Sequence, residues 1–489
     1  MTISTLLTGI YFLLVFGLAL YGFNALLLSG LFLWHRRRNS EAPALEEWPG
    51  VTVQLPIFDE RFVVERLIDT VASLDYPRHR LSIQVLDDST DETAALAQAR
   101  VAYYQARGVN IVYLRREERT GFKAGALAHG LAVAPADFIA VFDADFCPPR
   151  DFLRRVIPHF AHPRVGMVQA RWGHLNAEYS SLTRTQALAL DGHFIVEQTA
   201  RSRAGLLLNF NGSAGVWRRE CILAAGGWQA DTVAEDLDLS YRAQLAGWQL
   251  RYLPDVVAPA EVPPLLMAFK RQQFRWAKGS IQCLRKLGGR LLRSSLSPWR
   301  KAQGLLHISG YLIHPLMLAL VLVGLPMIFT RNPGTLPLSA LGLAGLAPPV
   351  VFALSQWAVY PDWRRRFAYF PILVLLGAGV ALNNTWAVFE ALVGRNPTLF
   401  LRTPKFQVEG RHAGRVGQAG SYNLPVDWTT WGELVLAFYC LVEAVVAVSR
   451  APGLVPFLAT YAIGYAYTAG LGLWQSWKTF RPGTVRSEA

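Results

Sequence analysis

The sequence is poor in charged residues and in cysteine. Only 17% of its 489 residues are charged, whereas 52% are hydrophobic, a composition too apolar for an ordinary soluble enzyme. The four cysteines, Cys147, Cys221, Cys283 and Cys440, have neither metal-ligand spacing nor the pattern of a disulfide framework, which favours a reducing compartment. The sequence contains no nucleic-acid-binding motif, so we interpret the formal net charge of +13 as membrane-directed and exclude nucleic acid as a partner.

Long apolar segments occupy both ends of the chain. The first, residues 6–34, is followed by His35 and the basic triplet 36–38, and the others cover residues 305–329, 336–360, 367–382, 431–448 and 455–474. The first segment exceeds the ~20 residues that a membrane span needs and lacks the basic start and cleavage site of a signal peptide. The positive-inside rule then predicts a cytoplasmic domain after residue 38. We expect an integral protein of the bacterial inner or plasma membrane.

Basic residues also constrain the C-terminal segments. Both the triplet 364–366 and the stretch 395–405 are basic and are expected to face the cytoplasm. An odd number of crossings between the polar middle of the chain and this stretch would violate the positive-inside rule. We therefore expect residues 367–382 to be re-entrant and residues 386–392 to form an interfacial helix.

The polar middle of the chain alternates between strand and helix patterns. Strands are predicted at residues 51–56, 82–86, 110–114 and 138–142, with helical patterns between them. This alternation predicts a parallel, doubly wound α/β sheet. Ligands of such sheets bind beyond the carboxyl ends of the strands, and carboxylates follow three of the strands: Asp59, Asp87, Asp88, Asp143 and Asp145.

Asp143 and Asp145 follow the apolar strand 138–142. In an extended segment residues i and i+2 point to the same side, so both carboxylates can face one hard cation and, through it, a diphosphate. Lys123, in a basic glycine-bearing loop, supplies a point charge for phosphate. We predict a metal-dependent nucleotide-sugar site. Asp59, Asp87 and Asp88 fit either contacts to the nucleotide or the alternative of helix capping and turn formation.

Three further groups of residues complete the predicted site. The small residues Gly212 and Ser213 allow the backbone to approach a ligand closely. Glu235 and Asp236 open a helix, where they either compensate its dipole or, for Asp236, deprotonate an acceptor hydroxyl. Residues 263–293 form a basic amphipathic pattern typical of the membrane interface. It contains Gln272, Arg275 and Trp276, either an interfacial anchor or a platform for sugar and diphosphate.

The order of these motifs resembles a known family. The set Asp87-Asp88, Asp143-Ala144-Asp145, Phe210-Asn211-Gly212-Ser213, Ala234-Glu235-Asp236 and Gln272-Gln273-Phe274-Arg275-Trp276 is similar to the signature of processive family-2 glycosyltransferases, the cellulose synthase superfamily. Within it, residues 172–276 most resemble bacterial relatives of the cellulose-synthase-like glucomannan synthases. The resemblance, flanking membrane segments included, covers nearly the whole chain.

This resemblance implies a GT-A domain combined with an α-helical transmembrane bundle, and an inverting, Mg2+- or Mn2+-dependent hexosyltransferase. The implied roles are catalysis for Asp236 and its neighbour Glu235; nucleotide-sugar binding for Asp59, Asp87, Asp88, Lys123 and Asp143; metal binding for Asp145 and Asp143; and acceptor or diphosphate binding for Gln272, Arg275, Trp276, Gly212 and Ser213. Two positions depart from the family pattern. Ala234 stands where the family usually has Thr, and Asp59 where it usually has Asn.

A later motif favours a polymeric product. The stretch Phe400-Leu401-Arg402-Thr403-Pro404-Lys405 resembles the gating loop of cellulose synthases at Phe400, Thr403 and Lys405, although a basic interfacial loop is the alternative. We expect a β-glycan synthase using UDP-glucose or GDP-mannose and exporting its product. The alternative is a non-processive glycosyltransferase with a lipid acceptor, and a non-catalytic membrane receptor or scaffold is a rival that the complete set of acidic motifs disfavours.

The expected organisation has four parts. Residues 1–38 form an anchor, residues 48–260 the GT-A domain, residues 261–300 amphipathic interface helices, and residues 301–489 the C-terminal membrane region, with the gating-like loop at about 395–428.

Overall fold

The computed structural model describes residues 2–37, 43–330, 339–394, 403–412, 416 and 425–479. Its polar middle is built on one seven-stranded sheet with the order β3-β2-β1-β4-β6-β5-β7. The strands are β1 Val51–Ile57, β2 Leu81–Asp87, β3 Ile111–Arg115, β4 Phe138–Val141, β5 Val165–His174, β6 Gly215–Arg218 and β7 Gln249–Ala260.

Nineteen α-helices are described, and a π-helix, Gly192–Gln198, joins two of them. The helices are α1 Ile3–His35, α2 Val64–Ala72, α3 Thr93–Gln105, α4 Phe122–Val133, α5 Phe152–Val156, α6 Ser181–Asp191, α7 Thr199–Arg203, α8 Arg219–Ala224, α9 Glu235–Leu245, α10 Leu266–Arg293, α11 Pro298–Ile308, α12 Ile313–Thr330, α13 Ser339–Gly342, α14 Ala347–Val359, α15 Trp363–Phe367, α16 Phe370–Gly379, α17 Ala381–Val393, α18 Trp428–Arg450 and α19 Val455–Thr479.

The central strands are buried on both faces. In β1 the apolar side chains of Val53 and Leu55 are buried, and so is the polar Gln54 between them. Gln54 Nε2 donates a hydrogen bond to Gln84 Oε1 of β2 at 3.0 Å, which satisfies a polar group that would otherwise be costly to bury. Burial on both faces explains why these strands are nearly continuous apolar runs rather than alternating ones.

The sheet is mixed, so the expectation of an all-parallel sheet is wrong at β6. Strands β1 to β4 are parallel where they pair, but β6 runs antiparallel to both β4 and β5. Val141, the last residue of β4, pairs with Gly215, the first residue of β6. The antiparallel direction therefore places the residues before β6, including Gly212 and Ser213, at the same edge as Asp143.

Five helical stretches of the described chain are long and apolar enough to cross a membrane: Ile3–His35 (α1), Gly310–Thr330 (with α12), Ala340–Val359 (with α14), Trp428–Arg450 (α18) and Pro452–Lys478 (with α19). They coincide with five of the predicted apolar segments. The sixth segment, 367–382, falls on two helical stretches, Trp363–Gly379 (α15 and α16) and Ala381–Val393 (α17), which are bent by 43° at a short break. The second of them contains the predicted interfacial helix 386–392. Of the basic triplet 36–38, Arg38 lies outside the described residues.

The amphipathic helix α10 packs against protein as well as carrying the predicted basic face. Lys270 Nζ lies 2.8 Å from Glu433 Oε1 of α18 and 3.1 Å from Asp427 Oδ1. Lys278 Nζ lies 2.7 Å from Glu390 Oε2 of α17. These ion pairs attach α10 to the membrane helices, so the helix joins the sheet domain to the bundle.

Candidate active site

An open cleft of about 1360 Å³ lies at the carboxyl ends of β1, β2 and β4. Most of the predicted site residues line it: Asp88, Lys123, Asp143, Asp145, Gly212, Glu235, Asp236, Gln272, Arg275, Trp276, Thr403 and Lys405. Asp59, Asp87 and Ser213 do not line it, and Phe400 lies outside the described residues. The cleft thus gathers side chains from the sheet domain, from α10 and from the loop 403–408.

Each carboxylate of the Asp-x-Asp motif forms an ion pair with a lysine. Asp143 Oδ1 lies 2.5 Å from Lys123 Nζ, and Asp145 Oδ2 lies 2.6 Å from Lys405 Nζ. The backbone amide of Asp143 donates a hydrogen bond to Ser213 Oγ at 2.9 Å. Ser213 therefore holds the strand end in place from behind, although its side chain does not reach the cleft.

Asp143 and Asp145 suit a divalent cation whose remaining ligands come from a substrate phosphate and water. Within the described ranges, no group of three His, Cys, Asp or Glu side chains is arranged to hold a metal ion. Mg2+ is commonly bound by one or two carboxylates together with substrate phosphates and waters. Asp143 and Asp145 match that donor set, and metal binding by them stays a prediction.

Lys123 is the cationic centre of the cleft. Besides Asp143, its Nζ lies 3.8 Å from Glu235 Oε1 and donates a hydrogen bond to the Gly212 carbonyl at 2.8 Å. Burial alone would lower the pKa of Lys123, but the negative charges of Asp143, Glu235 and Asp236 outweigh it, and the pKa is raised. The ammonium therefore keeps its charge and can bind a phosphate oxygen.

Glu235 and Asp236 form the first turn of α9, as predicted. Burial, followed by the negative charge of Glu235, raises the pKa of Asp236 to about 7. Asp236 Oδ1 accepts a hydrogen bond from the backbone amide of Leu237 at 2.8 Å. A Cβ on Gly212, whose φ is +81°, would lie 2.9 Å from Asp236 Oδ2, so only glycine fits there without displacing the carboxylate. A carboxyl with this pKa in an open cleft is suited to accept a proton near neutral pH.

The N-terminal part of α10, which carries Gln272, Arg275 and Trp276, meets the loop 403–408 at the cleft. Arg275 Nη2 donates a hydrogen bond to Thr403 Oγ1 at 2.9 Å. Burial lowers the pKa of Arg275, although Glu235 and Asp143 partly oppose that effect. Gln272 and Trp276 line the same wall, so the motif faces the cleft rather than only anchoring the helix.

The loop 403–408 is attached to the sheet domain at several points. The amide of Phe406 donates to Glu261 Oε2 at 3.2 Å, and Glu261 Oε1 pairs with Arg66 at 2.6 Å. The side chains of Phe406 and Val408 are fully buried. The loop therefore closes one side of the cleft, with Lys405 at its centre.

The other strand-end carboxylates hold backbone turns. Asp59, with a φ of +52°, accepts a hydrogen bond from the amide of Thr90 at 2.7 Å. Asp87 accepts from the amide of Ser89 at 2.8 Å and from Tyr113 Oη at 2.6 Å. These contacts favour the turn-forming alternative for both residues. Asp88 lines the cleft and accepts from Arg116 Nε at 2.9 Å, and its contact with a nucleotide stays a prediction.

Several cleft residues were not predicted from the sequence. Trp172 and His174 end β5, and Glu261 follows β7. Neither strand was predicted, so nothing indicated that their ends reach the cleft. Arg119 also lines the cleft, with its guanidinium 3.4 Å from the Phe58 ring centroid. The only feature of the sequence that could have indicated Arg119 as a cleft residue is its position in a basic, glycine-bearing loop.

A chain of hydrogen bonds runs from the cleft to the first membrane helix. Asn211, which lines the cleft, accepts from His193 Nε2 at 3.0 Å, and His193 Nδ1 contacts Glu197 Oε2 at 3.0 Å. Both residues lie in the π-helix, a conformation often found at functional sites. The chain continues from Glu197 to Arg201 at 2.8 Å and from Arg201 to the carbonyl of Gln303 at 3.4 Å. Gln303 Nε2 then donates to Asn24 Oδ1 of α1 at 2.7 Å.

Comparisons with known proteins agree with this geometry. The domain described as "Glycosyltransferase like family 2" matches residues 49–279. Glucomannan 4-beta-mannosyltransferase 2 of Arabidopsis thaliana is 43% identical over 260 residues, which are 52% of this chain and 49% of that protein. Glucomannan 4-beta-mannosyltransferase 1 of Oryza sativa subsp. japonica is 40% identical over 296 residues, 57% of each chain. The chain thus spans about half the length of the curated relatives that it matches.

One solved structure has a fold similar to that of this chain. The mannosyltransferase PcManGT from Pyrobaculum calidifontis, in complex with GDP-Man and Mn2+, is 23% identical with a TM-score of 0.55. The match covers 80% of this chain and 100% of that one. It confirms the predicted GT-A fold, with a mixed rather than a parallel sheet.

Proposed function

We propose that this protein transfers mannose from GDP-mannose to a β-glycan. Residues 49–279 match the domain described as "Glycosyltransferase like family 2", and the chain is similar to glucomannan 4-beta-mannosyltransferases. The observation that carries the proposal is the cleft itself. It combines Asp236, whose pKa is about 7, with the Asp143–Lys123 and Asp145–Lys405 pairs. The names of the relatives favour GDP-mannose over UDP-glucose and a glycan over a lipid acceptor.

The cleft residues divide the work of an inverting transfer. The Asp236 carboxylate accepts the proton of the acceptor hydroxyl as its oxygen forms a bond to the anomeric carbon. The bond from that carbon to the GDP oxygen breaks, and GDP leaves with the electron pair. Lys123 and Arg275 hold the diphosphate as its charge grows. A divalent cation, Mg2+ or Mn2+, held by Asp143 and Asp145, would supply further charge neutralisation of the diphosphate when bound.

We also propose that the enzyme is processive and exports its product. The support is the arrangement of α10, which carries Arg275 and Trp276 in the cleft and is ion-paired to α17 and α18. A growing chain that leaves past Trp276 emerges beside the membrane helices. The positive-inside pattern supports a cytoplasmic location for the catalytic domain as part of this proposal.

The test of this proposal uses the full chain in nanodiscs with Mn2+ and radiolabelled sugar nucleotides. We expect label from GDP-mannose, and not from UDP-glucose, in a large product that an endo-β-mannanase digests. Addition of EDTA should abolish incorporation. Incorporation of label from UDP-glucose alone would contradict GDP-mannose as the donor. Label confined to the organic-soluble fraction would contradict a polymer product.

The pH dependence of kcat/KM should report the ionisation of Asp236. Only the carboxylate form accepts a proton, and burial beside Glu235 raises its pKa to about 7. Activity should therefore fall about tenfold per pH unit below about 7 and reach a plateau above it. Replacing Glu235 by Gln removes the neighbouring negative charge and should move this limb to lower pH in the residual activity. A limb near the ordinary carboxyl value of about 4 would contradict the assignment.

Lys405 should compete with a divalent cation for Asp145. Its ammonium lies 2.6 Å from Asp145 Oδ2, and a charged hydrogen bond of this kind is worth about 1.5–3 kcal/mol. We expect Lys405→Met to tighten Mn2+ binding in the absence of donor by about tenfold or more, measured by electron paramagnetic resonance of free Mn2+. Lys301→Met is the control, because Lys301 only donates to the Leu292 carbonyl on an exposed surface. Unchanged or weaker Mn2+ binding by Lys405→Met would contradict the competition.

A further inference from the structure

Three amide side chains and one histidine form a hydrogen-bonded group at the wall of the cleft. Asn211 lines the cleft directly, and Asn209, Gln198 and His193 lie behind its side chain. Gln198 and His193 belong to the π-helix Gly192–Gln198. The reaction described above gives none of these four side chains a role.

The side-chain oxygen of Asn211 contacts two side-chain nitrogens. It accepts a hydrogen bond from Asn209 Nδ2 at 3.0 Å and lies 3.0 Å from His193 Nε2. Asn209 is itself oriented, because Gln198 Nε2 donates to its side-chain oxygen at 3.2 Å and to its carbonyl at 3.1 Å. In the described part of the chain, Asn211 Nδ2 donates only to the Asn209 carbonyl, at 3.5 Å. Since a side-chain amide carries two N–H donors, one N–H of Asn211 is left for a ligand in the cleft.

Glu197 determines which atoms of His193 carry protons. Its Oε2 lies 3.0 Å from His193 Nδ1, and its Oε1 accepts from Arg201 Nε at 2.8 Å. Burial alone would raise the pKa of Glu197, but the positive charge of Arg201 and the hydrogen bond from His193 outweigh it, and the pKa is lowered well below its usual range. An ionised carboxylate only accepts hydrogen bonds, so His193 Nδ1 donates. Because Nε2 faces the oxygen of an amide, it donates as well, and these contacts require a ring with protons on both nitrogens.

His307 of α11 also lies near this pair. Burial, followed by the positive charge of Arg201, lowers the pKa of His307 well below its usual range, so this second ring is neutral at physiological pH. Its Nδ1 contacts Tyr241 Oη at 2.8 Å. The charge balance around His193 is therefore set by Glu197 and Arg201.

Asn211 is next to the residue that packs against the proposed base. A Cβ on Gly212 would lie 2.9 Å from Asp236 Oδ2, and Lys123 Nζ donates to the Gly212 carbonyl at 2.8 Å. The backbone of Asn211 is fixed as well, since its amide donates to Gln169 Oε1 at 2.9 Å. A sugar whose hydroxyl reaches Asp236 therefore lies in the part of the cleft that Asn211 lines.

We propose that His193 is a positioning residue for the acceptor. Held by Glu197, it fixes the side-chain amide of Asn211 so that Nδ2 donates a hydrogen bond to a hydroxyl of the acceptor sugar. A few fixed polar groups orient a ligand in a cleft of this kind, and an acceptor hydroxyl held toward the base reacts faster. This inference rests on the proposed transfer to a glycan and adds the residues that orient the glycan.

The first experiment measures transfer from GDP-mannose to a soluble β-manno-oligosaccharide by the full chain in nanodiscs. We expect Asn211→Ala to raise the KM for the oligosaccharide about tenfold, because the variant lacks the amide donor. The affinity for GDP-mannose, measured without acceptor, should stay nearly the same. An unchanged KM for the oligosaccharide, or an equal loss of GDP-mannose affinity, would overturn the inference.

A double-mutant cycle tests whether His193 acts through Asn211. His193→Phe keeps a ring but donates no hydrogen bond, so it should raise the same KM by a similar factor. This effect should vanish in the Asn211→Ala background, because the amide that His193 orients is then absent. A purely structural role would give additive losses and would overturn the inference. His162→Gln is the matched control and should leave the KM unchanged, because His162 is exposed and its Nδ1 accepts from the Arg164 amide on the surface.

A second readout is independent of enzymatic activity. Solid-state NMR of the full chain with isotope-labelled histidine reports whether each ring nitrogen carries a proton, and His193→Gln identifies the signal of His193. We expect both nitrogens of His193 to be protonated at the pH of the activity assay, and a neutral ring would overturn the inference. Lack of transfer from GDP-mannose by the natural protein would instead contradict the proposed function, whatever the NMR result.

Discussion

Asp236→Asn should lower kcat by about 10³-fold, because general-base catalysis typically contributes 10²–10⁴. Asparagine has nearly the same shape, and its side-chain oxygen can still accept the Leu237 amide hydrogen bond that Asp236 accepts at 2.8 Å. What it loses is the capacity to take a proton. The measurement is the initial rate of mannose incorporation, together with the affinity for GDP-mannose, which should change much less than the rate.

A matched control is available a few residues earlier in the chain. Asp231 lies before the same helix but outside the cleft, where its carboxylate pairs with Lys286 at 2.6 Å and is 58% exposed. Asp231→Asn should keep the rate within about twofold, because exposed ion pairs contribute little. If Asp236→Asn kept more than about a tenth of the natural rate with normal stability, Asp236 would not be the base.

Asp145→Asn should also reduce activity by at least about 10²-fold. Charge stabilisation by a bound metal ion is worth several kcal/mol in reactions of this kind. The substitution removes a predicted metal ligand and leaves the Lys405 ammonium without its carboxylate partner at 2.6 Å. We expect the residual rate to need a much higher Mn2+ concentration, which a titration of rate against Mn2+ measures.

The control for Asp145 is the exposed Asp151, just beyond the same strand end. Its carboxylate is 55% exposed and lies 3.9 Å from Arg155. Asp151 does not line the cleft and has no part in the proposed reaction. Asp151→Asn should leave both the rate and the Mn2+ dependence unchanged. Asp145→Asn with an unaltered Mn2+ titration would show that Asp145 does not hold the cation.

The parts of the site that follow parallel strands could be predicted from the sequence. Strand β1 was expected at residues 51–56 and is Val51–Ile57, because a strand buried on both faces is a nearly continuous apolar run. The carboxyl ends of such strands meet at one edge, so Asp88, Asp143 and Asp145 were expected to lie together. Their common cleft has this origin.

The remaining parts depend on pairing between distant residues. Strand β6 has only four residues, Gly215–Arg218, too few to show a hydrophobic periodicity. Its antiparallel direction is set by its pairing with β4 and β5. The pair between Asp145 and Lys405 joins residues 260 positions apart. Neither local propensity nor hydrophobic periodicity reports contacts over such a separation.

The same pair constrains the membrane topology. Lys405 contacts Asp145, so the loop and the carboxylates of the cleft lie on the same side of any membrane that the candidate spans cross. The number of crossings between α10 and the loop must then be even. Helices Gly310–Thr330 and Ala340–Val359 supply two, and we therefore expect the bent pair to return to the side from which it entered, as the basic residues had indicated.

The hydrogen-bond chain from Asn211 to Asn24 bears on how the catalytic part can be prepared for study. A fragment limited to residues 48–260 would lack Arg275 and Trp276, and it would leave Arg201 without the carbonyl of Gln303. Arg201 is almost wholly buried; it would keep its ion pair with Glu197 at 2.8 Å but lose a buried hydrogen-bond acceptor, which costs stability. A cut at residue 260 would therefore remove part of the cleft wall and expose side chains that are buried in the intact chain. Extraction of the intact chain in detergent preserves the cleft.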